Sequence, residues 1–433
     1  MDRLDLTSPN AENVSFSSWI GDRKPNSLGT NTGAPPLAFQ NWRRIKEAFA
    51  PELVARSVSE TMASLGRPVR TCIDPFAGSG TTPLTCQFLG VVPTAIEVNP
   101  FLSDLIEAKL TPIDGQSVGA QLGQLLATSD VLDPESYYHG APPTFVEPGV
   151  KGRYLFSYDV ASRIASLLNT ILDIEDVGLR RFFRVLLGSA AVAVCNTTVS
   201  GKGRRYRKNW ETRQSTPVEL DNIFANAVRA AVFDSVRFAR RQTLSYSLIR
   251  NDALEVLQTI DDMDLAVFSP PYPNSFDYTD VYNVELWILR YLKRAEDNTQ
   301  LRMRTMRSHV QIKREASTSN PPALVQESIE TLRVAEKLWN PWIPEMIGAY
   351  FADLTVTLKE LKRMLVDRGR VYVVLGDSRY SGVQIPVIEG FIDRAAELGF
   401  CVVSTEVLES KRTSPQHGAR RELGESLVTL IRR

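Results

Sequence analysis

The chain has 433 residues, more than one average domain, so we expect one large α/β core that carries a sizeable insertion or second lobe. Hydrophobic residues make up 43% of the chain and charged residues 23%, which are ordinary values for a soluble globular protein. The 50 Lys and Arg residues balance the 50 Asp and Glu residues, which excludes a global charge that would indicate a nucleic-acid partner. Any such surface must come from local clustering.

No apolar run approaches the length of a membrane span, and the N-terminal MDRLDLTSPN lacks the apolar core of a signal peptide. These absences predict a cytoplasmic protein with no membrane partner. The cysteines are scattered without the spacing of metal ligands, so we expect them to be reduced and buried, and we expect no metal site. They are Cys72, Cys86, Cys195 and Cys401.

The N-terminal residues 1–38 are polar and rich in Ser, Asn, Gly and Pro. This composition is typical of a flexible arm or of a segment that wraps around the rest of the protein. A helical pattern begins near Trp42 and continues through KEAFAPELVARSVSETMASL, with a break or a fresh helix start at Pro51. The predicted core therefore begins at about residue 39.

Residues 39–110 contain the first part of the core. A short apolar strand, VRTCID, stops at a glycine-rich turn, PFAGSGTT, and the helix PLTCQFLG follows. A second strand, PTAIEV, precedes the helix NPFLSDLIEAKL. This strand–turn–helix–strand–helix order is the opening of a doubly wound parallel sheet.

Residues 111–243 interrupt the alternation of strands and helices. A stretch that contains Pro and Gly leads into apolar helical patterns such as IASLLNTILDI and LRRFFRVLLGSAAVAV. A basic loop, SGKGRRYRKNWETR, then precedes a last long helix. We therefore predict a largely helical insertion.

The alternation resumes over residues 244–433, the second part of the core. A polar and helical excursion at 276–345 separates its first two strands from the remaining elements. The predicted elements of this part are the strand SYSLIRND, the helix ALEVLQTI, the strand DLAVF, the helix YFADLTVTLKELKRML, the strand RVYVVLGD, the helix PVIEGFIDRAAELGF and the strands CVVSTEVLE and SLVTLIRR.

The glycine-rich turn has the features of a ligand-binding loop. Asp74 ends the first strand, and Phe76, Gly78 and Gly80 shape a turn through which backbone N–H groups and a helix N-terminus can approach a ligand. The spacing differs from GxGxxG, and no Lys follows the glycines as in a phosphate-binding loop. Glu97, at the end of the next strand, is placed to accept hydrogen bonds from ribose hydroxyls. The turn therefore suits a ligand without phosphates, and the alternative is a simple strand–helix junction.

The tetrapeptide Ser269-Pro270-Pro271-Tyr272 follows the strand DLAVF, at the end where open α/β sheets place their sites. Successive prolines fix the backbone and remove two N–H donors, so carbonyl groups remain as acceptors. The exocyclic amine of a base is a poor nucleophile, because its lone pair is delocalised into the ring. Accepting hydrogen bonds from its N–H groups localises that lone pair and stabilises positive charge in the transition state. The Ser269 hydroxyl and the Pro270 carbonyl can accept these bonds, and Tyr272 offers a face for stacking.

DPFAGSGTT followed by AIEVNP, together with SPPY, resembles the S-adenosylmethionine-dependent DNA amino-methyltransferases. This resemblance implies a doubly wound, seven-stranded Rossmann-like methyltransferase sheet with a large helical insertion. It also implies contacts with S-adenosyl-L-methionine: the methionine part would lie on Asp74, Phe76, Gly78 and Gly80, the ribose on Glu97, and the adenine amino group on Asp252 in the RNDAL turn. Asp252 precedes a predicted helix and is equally compatible with a helix cap.

In this family the Ser form of the tetrapeptide is typical of cytosine-N4 enzymes, whereas Asp or Asn usually goes with adenine N6. The resemblance thus implies methylation of cytosine N4 in double-stranded DNA, with the target base flipped out of the stack. Many cytosine-N4 enzymes carry the two motifs in the opposite order, however. The alternatives are adenine-N6 methylation of DNA, RNA base methylation, and a non-catalytic nucleic-acid-binding subunit. Restriction or phage-defence proteins are candidate partners.

The basic loop in the insertion is the predicted nucleic-acid contact, because the insertion has the position of a target-recognition region in relatives that carry the cofactor motif first. Cations contact phosphates, and the neighbouring Tyr206 and Trp210 can stack on bases. The predicted contacts are Lys202, Arg204, Arg205, Arg207 and Lys208. A second basic cluster, at residues 302–314, follows the tetrapeptide.

Overall fold

A seven-stranded sheet runs through the centre of the protein, which we describe from a computed structural model. The structure describes residues 14–31, 37–45, 48–200, 203–314, 320–408, 423 and 425–433. The strands are β1 (Thr71–Asp74), β2 (Val92–Ile96), β3 (Thr197–Ser200), β4 (Gly203–Tyr206), β5 (Ser247–Ile249), β6 (Met263–Phe268), β7 (Leu365–Gly376), β8 (Ser378–Tyr380), β9 (Val383–Ile385), β10 (Phe400–Val407) and β11 (Glu425–Arg432).

The central sheet has the strand order β10-β11-β7-β6-β1-β2-β5. The five strands from β7 to β5 are parallel, and β11 runs antiparallel to both of its neighbours, β7 and β10. All seven predicted strands lie in this sheet, so the prediction of a doubly wound, seven-stranded sheet is confirmed. The strands β3 and β4, and likewise β8 and β9, form separate two-stranded hairpins.

Sixteen α-helices lie in the described part of the chain. They are α1 (Phe16–Ile20), α2 (Pro51–Leu65), α3 (Thr81–Leu89), α4 (Pro100–Leu110), α5 (Gly115–Ala127), α6 (Pro134–Tyr137), α7 (Tyr158–Leu172), α8 (Val177–Val194), α9 (Pro217–Arg237), α10 (Ala253–Val256), α11 (Tyr278–Val281), α12 (Asn283–Ile288), α13 (Ala295–Met303), α14 (Ala323–Arg333), α15 (Ile343–Met364) and α16 (Val387–Glu397). None of these helices is long and apolar enough to cross a bilayer.

The central strands are apolar throughout because helices cover both faces of the sheet. All six residues of β6 are buried. Leu265 and Val267 pack in the layer that contains α2. Ala266 and Phe268 pack on the opposite side, in the layer of α14, α15 and α16. This alternation places β6 in the middle of the core.

Residues 111–243 contain the helices α5 to α9, whose apolar faces meet in a cluster that includes Phe182, Phe183 and Phe224. The stretch that we predicted to be a basic loop is partly a hairpin, since Gly203–Tyr206 pairs with Thr197–Ser200. The prediction of a loop is therefore wrong over these residues. Two adjacent strands can pair locally here even though their charged sequence does not show the usual apolar alternation.

The N-terminal segment is packed against the core at residues 14–31, which fits the second of the two predictions made for residues 1–38, a segment that wraps around the rest of the protein. The indole of Trp19 stacks on Phe88, with ring centroids 4.4 Å apart and planes 3° from parallel. Arg23 donates to both carboxylate oxygens of Glu52 in α2. The buried Trp19 and the Arg23–Glu52 ion pair thus hold this polar segment on the core. Residues 1–13 and 32–36 lie outside the described ranges.

We predict that Trp19→Ala lowers the free energy of unfolding by about 3–5 kcal/mol, because a large buried aromatic side chain is lost from a packed interface. Denaturant unfolding monitored by circular dichroism measures the change. Val131→Ala is the control, since Val131 is 84% exposed and its truncation leaves no cavity. Equal effects of the two substitutions would contradict the packing of this segment.

Candidate active site

A large cleft lies at the carboxyl ends of the parallel strands. The chain runs outward from β1 through β2 to β5 and then returns to β6 on the other side of β1. The sheet order therefore reverses between β1 and β6, which is where open α/β sheets bind ligands. The cleft is open to solvent and has an empty volume of about 1120 Å³, including its open part. Its wall includes residues that follow β1, β2, β5 and β6.

The glycine turn after β1 forms one end of this cleft. Gly78 and Gly80 have φ angles of 50° and 79°, in the left-handed region that favours glycine. A Cβ atom on Gly80 would lie 2.9 Å from Cγ1 of Ile106, so a larger residue would force the turn away from α4. The Asp74 carboxylate accepts a hydrogen bond from the Phe76 N–H at 3.0 Å. The close approach of Gly80 to Ile106 and the hydrogen bond from Phe76 to Asp74 thus fix the conformation of the turn.

Glu97 joins the glycine turn to the start of α4. One carboxylate oxygen accepts the Gly78 N–H at 2.8 Å, and the other accepts the Asn99 N–H, also at 2.8 Å. Burial raises the pKa of Glu97 to about 7, although these two hydrogen bonds act in the opposite direction and lower the pKa. Burial likewise raises the pKa of Asp74 to about 7. Two carboxyl groups that titrate near neutrality therefore line the same end of the cleft.

Lys109 supports the glycine turn from behind, and the sequence analysis did not single it out. The side chain is buried, and its ammonium group donates to the Ser79 carbonyl at 2.8 Å. Burial lowers the pKa of Lys109 to about 7. The signal that could have identified it is a lone lysine between Ala108 and Leu110 on the apolar face of a helix.

Asp252 lies in the wall of the cleft after β5, and it also caps α10 by accepting the Leu254 N–H at 3.0 Å. Burial raises its pKa to about 6. The neighbouring Asn251 side chain accepts a hydrogen bond from Arg304. The structure thus shows the helix cap, and it leaves Asp252 in a position where a ligand in the cleft can also reach it.

Hydrogen bonds connect the tetrapeptide after β6 to β11. Ser269 and Pro271 line the cleft, whereas Pro270 and Tyr272 are buried beside it. The Ser269 hydroxyl donates to the Tyr272 hydroxyl at 3.1 Å, and Tyr272 in turn donates to the Glu425 carboxylate at 2.9 Å. Tyr272 is only 6% exposed, so its ring is packed rather than presented to the cleft in this structure.

Another part of the wall comes from the excursion between β6 and α15, and the sequence analysis did not predict this. Tyr278 and Tyr282 contribute to it, as do residues 304–306, 308 and 309. Several cations of the second basic cluster form ion pairs with carboxylates of the protein itself. Arg302 pairs with Asp277 at 2.6 Å, and Arg307 pairs with Asp353 at 2.5 Å.

The predicted nucleic-acid contacts lie on or near the β3–β4 hairpin, apart from Lys202, which falls outside the described residues. Arg204 donates to the Val281 carbonyl at 2.6 Å, and Arg207 donates to the Val192 carbonyl at 3.0 Å. These two cations therefore hold the hairpin against the rest of the protein. Arg205 and Lys208 are exposed and extend toward solvent.

Within the described ranges, no three or more His, Cys, Asp or Glu side chains are grouped as metal ligands would be. Cys72, Cys86 and Cys195 are buried and Cys401 is half-buried, all as free thiols. Burial raises the pKa of the Cys195 thiol.

The chain is similar over most of its length to Type II methyltransferases. It is 25% identical over 420 residues to M.BsoBI from Geobacillus stearothermophilus, covering 87% of this chain and 81% of that protein. It is 25% identical over 434 residues to M.AvaI from Nostoc sp. and to M.AvaI from Anabaena variabilis, covering 89% of this chain and 83% of each. These relatives support an enzyme that transfers methyl groups.

No family model matches the chain. A crystal structure from Thermus thermophilus, provisionally called a DNA modification methylase, aligns with 42% of this chain and 50% of its own. The identity is 19% and the TM-score is 0.20, too slight a likeness to bear on fold or function.

The raised pKa of Asp74 predicts a specific pH dependence of stability. A carboxyl whose pKa is higher in the folded state makes the free energy of unfolding fall as pH rises from about 4 through 7. Asp74→Asn removes one such group while keeping an oxygen for the Phe76 N–H. We expect the loss of stability between pH 5 and pH 8 to be smaller in this variant, by about 1–3 kcal/mol. Urea unfolding at each pH measures the difference.

The control is Asp22→Asn, because Asp22 is exposed. Its loss of stability over the same pH range should equal that of the wild type. Identical pH slopes in Asp74→Asn and the wild type would contradict an ionisable carboxyl in this buried position.

Proposed function

We propose that the chain is an S-adenosyl-L-methionine-dependent methyltransferase that modifies the exocyclic N4 amino group of cytosine in DNA. The observation that carries this proposal is that the glycine turn, Glu97 and Ser269 line one cleft at the switch point of the sheet. The similarity to Type II methyltransferases along most of the chain supports it and supports a role in restriction–modification. Cytosine as the target base rests on the Ser form of the tetrapeptide.

The polar groups that line the cleft suit this cofactor. The cofactor has no phosphate, and the lysine nearest the turn, Lys109, is buried behind it rather than exposed to a ligand. Each Glu97 oxygen accepts one backbone N–H and keeps a further lone pair for a ribose hydroxyl. In this proposal Asp74 and the glycine turn hold the methionine end, and Asp252 accepts from the adenine amino group. When bound, the cofactor supplies an electrophilic methyl group on its sulfonium.

The hydrogen bonds of Ser269 suit the acceptance of an amino group. Its hydroxyl proton points to Tyr272, which leaves the oxygen lone pairs for the N–H groups of a base. Tyr272 is held as the acceptor of that proton because its own proton goes to Glu425. We therefore assign Tyr272 the role of a positioning residue. Ser269 and the Pro270 carbonyl orient the amine and stabilise the charge that develops on its nitrogen.

A base that stays stacked in a duplex is not expected to reach Ser269, since Ser269 lines a cleft whose wall is formed by several loops. The target nucleotide must therefore leave the stack. Once the methyl group arrives, the amine proton becomes acidic and leaves readily, so a neutral hydroxyl suffices at this position. Restriction or phage-defence proteins remain candidate partners.

The proposal predicts N4-methylcytosine in DNA as the product. Unmethylated plasmid DNA and total RNA are incubated separately with the protein and methyl-labelled S-adenosylmethionine, and the nucleosides are analysed by mass spectrometry. Ser269→Ala should lower the rate of transfer about 10- to 100-fold, the effect of losing one hydrogen bond in the transition state. Its affinity for S-adenosylhomocysteine should be unchanged. Ser129→Ala is the matched control and should behave as the wild type, because Ser129 is exposed.

Each other product contradicts a different part of the proposal. N6-methyladenine alone would contradict cytosine as the target, and label confined to RNA would contradict DNA. No transfer to either nucleic acid would favour a non-catalytic nucleic-acid-binding subunit.

For the hairpin, we predict that Arg205→Ala combined with Lys208→Ala weakens DNA binding and lowers its salt dependence. The slope of log K against log salt should fall by about 2 if each cation contacts one phosphate. Arg204→Ala should instead lower the unfolding temperature, because Arg204 donates to Val281 and lies 3.8 Å from the buried Glu285. Fluorescence anisotropy over a range of salt concentrations measures the slope. An unchanged slope in the double variant would contradict a phosphate contact.

A further inference from the structure

His309 lies in the wall of the cleft and carries a polar atom without a partner. The side chain is 4% exposed, and its Nε2 forms no hydrogen bond with any described residue. Other buried side-chain atoms also lack a partner in the described part of the chain, but none of those residues lines the cleft. Burying a polar group without a hydrogen bond costs stability. A ligand in the cleft that forms a hydrogen bond with Nε2 of His309 would remove this cost.

The backbone around His309 is joined to the segment that follows the tetrapeptide. The Ser275 N–H donates to the Ser308 carbonyl at 3.1 Å, and the Gln311 side chain donates to the Ser275 carbonyl at 3.0 Å. Ser275 comes six residues after Ser269 in the chain. His309 is thus held on the side of the cleft where the tetrapeptide lies.

A second, smaller cleft of about 430 Å³ shares His309 as part of its wall. Its other lining residues include Arg307, Lys313 and Trp342, and the Lys313 ammonium lies 4.3 Å from the centre of the Trp342 ring. Lys313 and Trp342 are both exposed. A cation beside an exposed aromatic ring is suited to a nucleic-acid strand, since the cation contacts phosphate and the ring stacks on a base. His309 therefore lies between this surface and the interior of the cleft.

The charge state of His309 favours an uncharged ligand. Burial lowers its pKa to about 4, and the cations Arg314 and Arg302 lower it further against the opposing effect of Asp277. At neutral pH the ring is uncharged, with one N–H donor and one acceptor nitrogen. Such a ring recognises the edge of a base better than a phosphate or the sulfonium of the cofactor.

We propose that His309 Nε2 hydrogen-bonds to the ring edge of the flipped target base whose amino group is held by Ser269. This inference rests on the proposed function and extends it to a base-contacting residue. In cytosine the amino group is adjacent to N3, an acceptor, and O2 follows on the same edge. We therefore expect Nε2 to donate to that edge, and we expect the surface of Lys313 and Trp342 to seat the strand from which the base is flipped.

The test compares His309→Leu, which removes the ring nitrogens, with His309→Gln, which keeps a donor. For methyl transfer to unmethylated plasmid DNA, kcat/KM should fall at least tenfold in His309→Leu and recover in part in His309→Gln. The Kd of S-adenosylhomocysteine, measured by calorimetry, should be unchanged in both. The unfolding temperature of His309→Leu should be no lower than that of the wild type, because Nε2 has no hydrogen-bond partner in the described part of the protein.

His139→Gln is the matched control, since His139 is exposed and its Nδ1 lies 3.2 Å from the carbonyl oxygen of Ser136. It should retain wild-type transfer. The chain has only three histidines, so ¹⁵N-imidazole NMR gives a second reading. The His309 ring signal, assigned from its loss in His309→Gln, should shift when plasmid-derived DNA fragments are added to the S-adenosylhomocysteine complex. It should not shift when S-adenosylhomocysteine alone is added to the free protein.

Three results would overturn the inference. Unchanged kcat/KM in His309→Leu, with normal transfer by the wild type, would show that the ring is only part of the wall. A parallel loss of S-adenosylhomocysteine affinity would show that His309 contacts the cofactor. No transfer by the wild type would overturn the proposed function and this inference together.

Discussion

The carboxylate of Glu97 is the interaction on which the geometry of the cleft depends. It holds the Gly78 and Asn99 N–H groups at once, so the turn after β1 and the start of α4 cannot move independently. The charged form is disfavoured by burial, as its raised pKa shows. The two N–H groups offset part of that cost, and a ligand with hydroxyl donors would offset more. In the proposed enzyme, the residue that binds the ribose therefore also assembles the loops around it.

The sheet was predictable from the sequence because its central strands are buried on both faces. A strand such as β6 must then be apolar at every position, and such a run between turn residues is visible locally. The glycine turn, Glu97 and Ser269 were each predicted to follow a strand, and the carboxyl ends of parallel strands meet at one edge of a sheet. The structure places all three in one cleft.

Contacts between distant parts of the chain were not predictable in the same way. The N-terminal segment is held on the core by the stacking of Trp19 on Phe88. The polar composition of the segment gives no indication of this contact. Arg204 resembles a free cation in sequence but donates to the Val281 carbonyl in space. His309 likewise became recognisable only when the excursion between β6 and α15 was seen to close one side of the cleft. To predict any of these three contacts, one must know which parts of the chain pack against each other in the folded protein.

The position of β11 affects the order in which the strands of the sheet can pair during folding. This strand is synthesised after every other described strand, yet it inserts between β7 and β10. It also provides Glu425, the acceptor for Tyr272. Until Glu425–Arg432 has been synthesised, the sheet lacks an interior strand and the Tyr272 hydroxyl lacks its Glu425 acceptor. Strand pairing between residues far apart in the sequence is slow. The hydrogen-bond chain from Ser269 through Tyr272 to Glu425 is therefore completed late in folding.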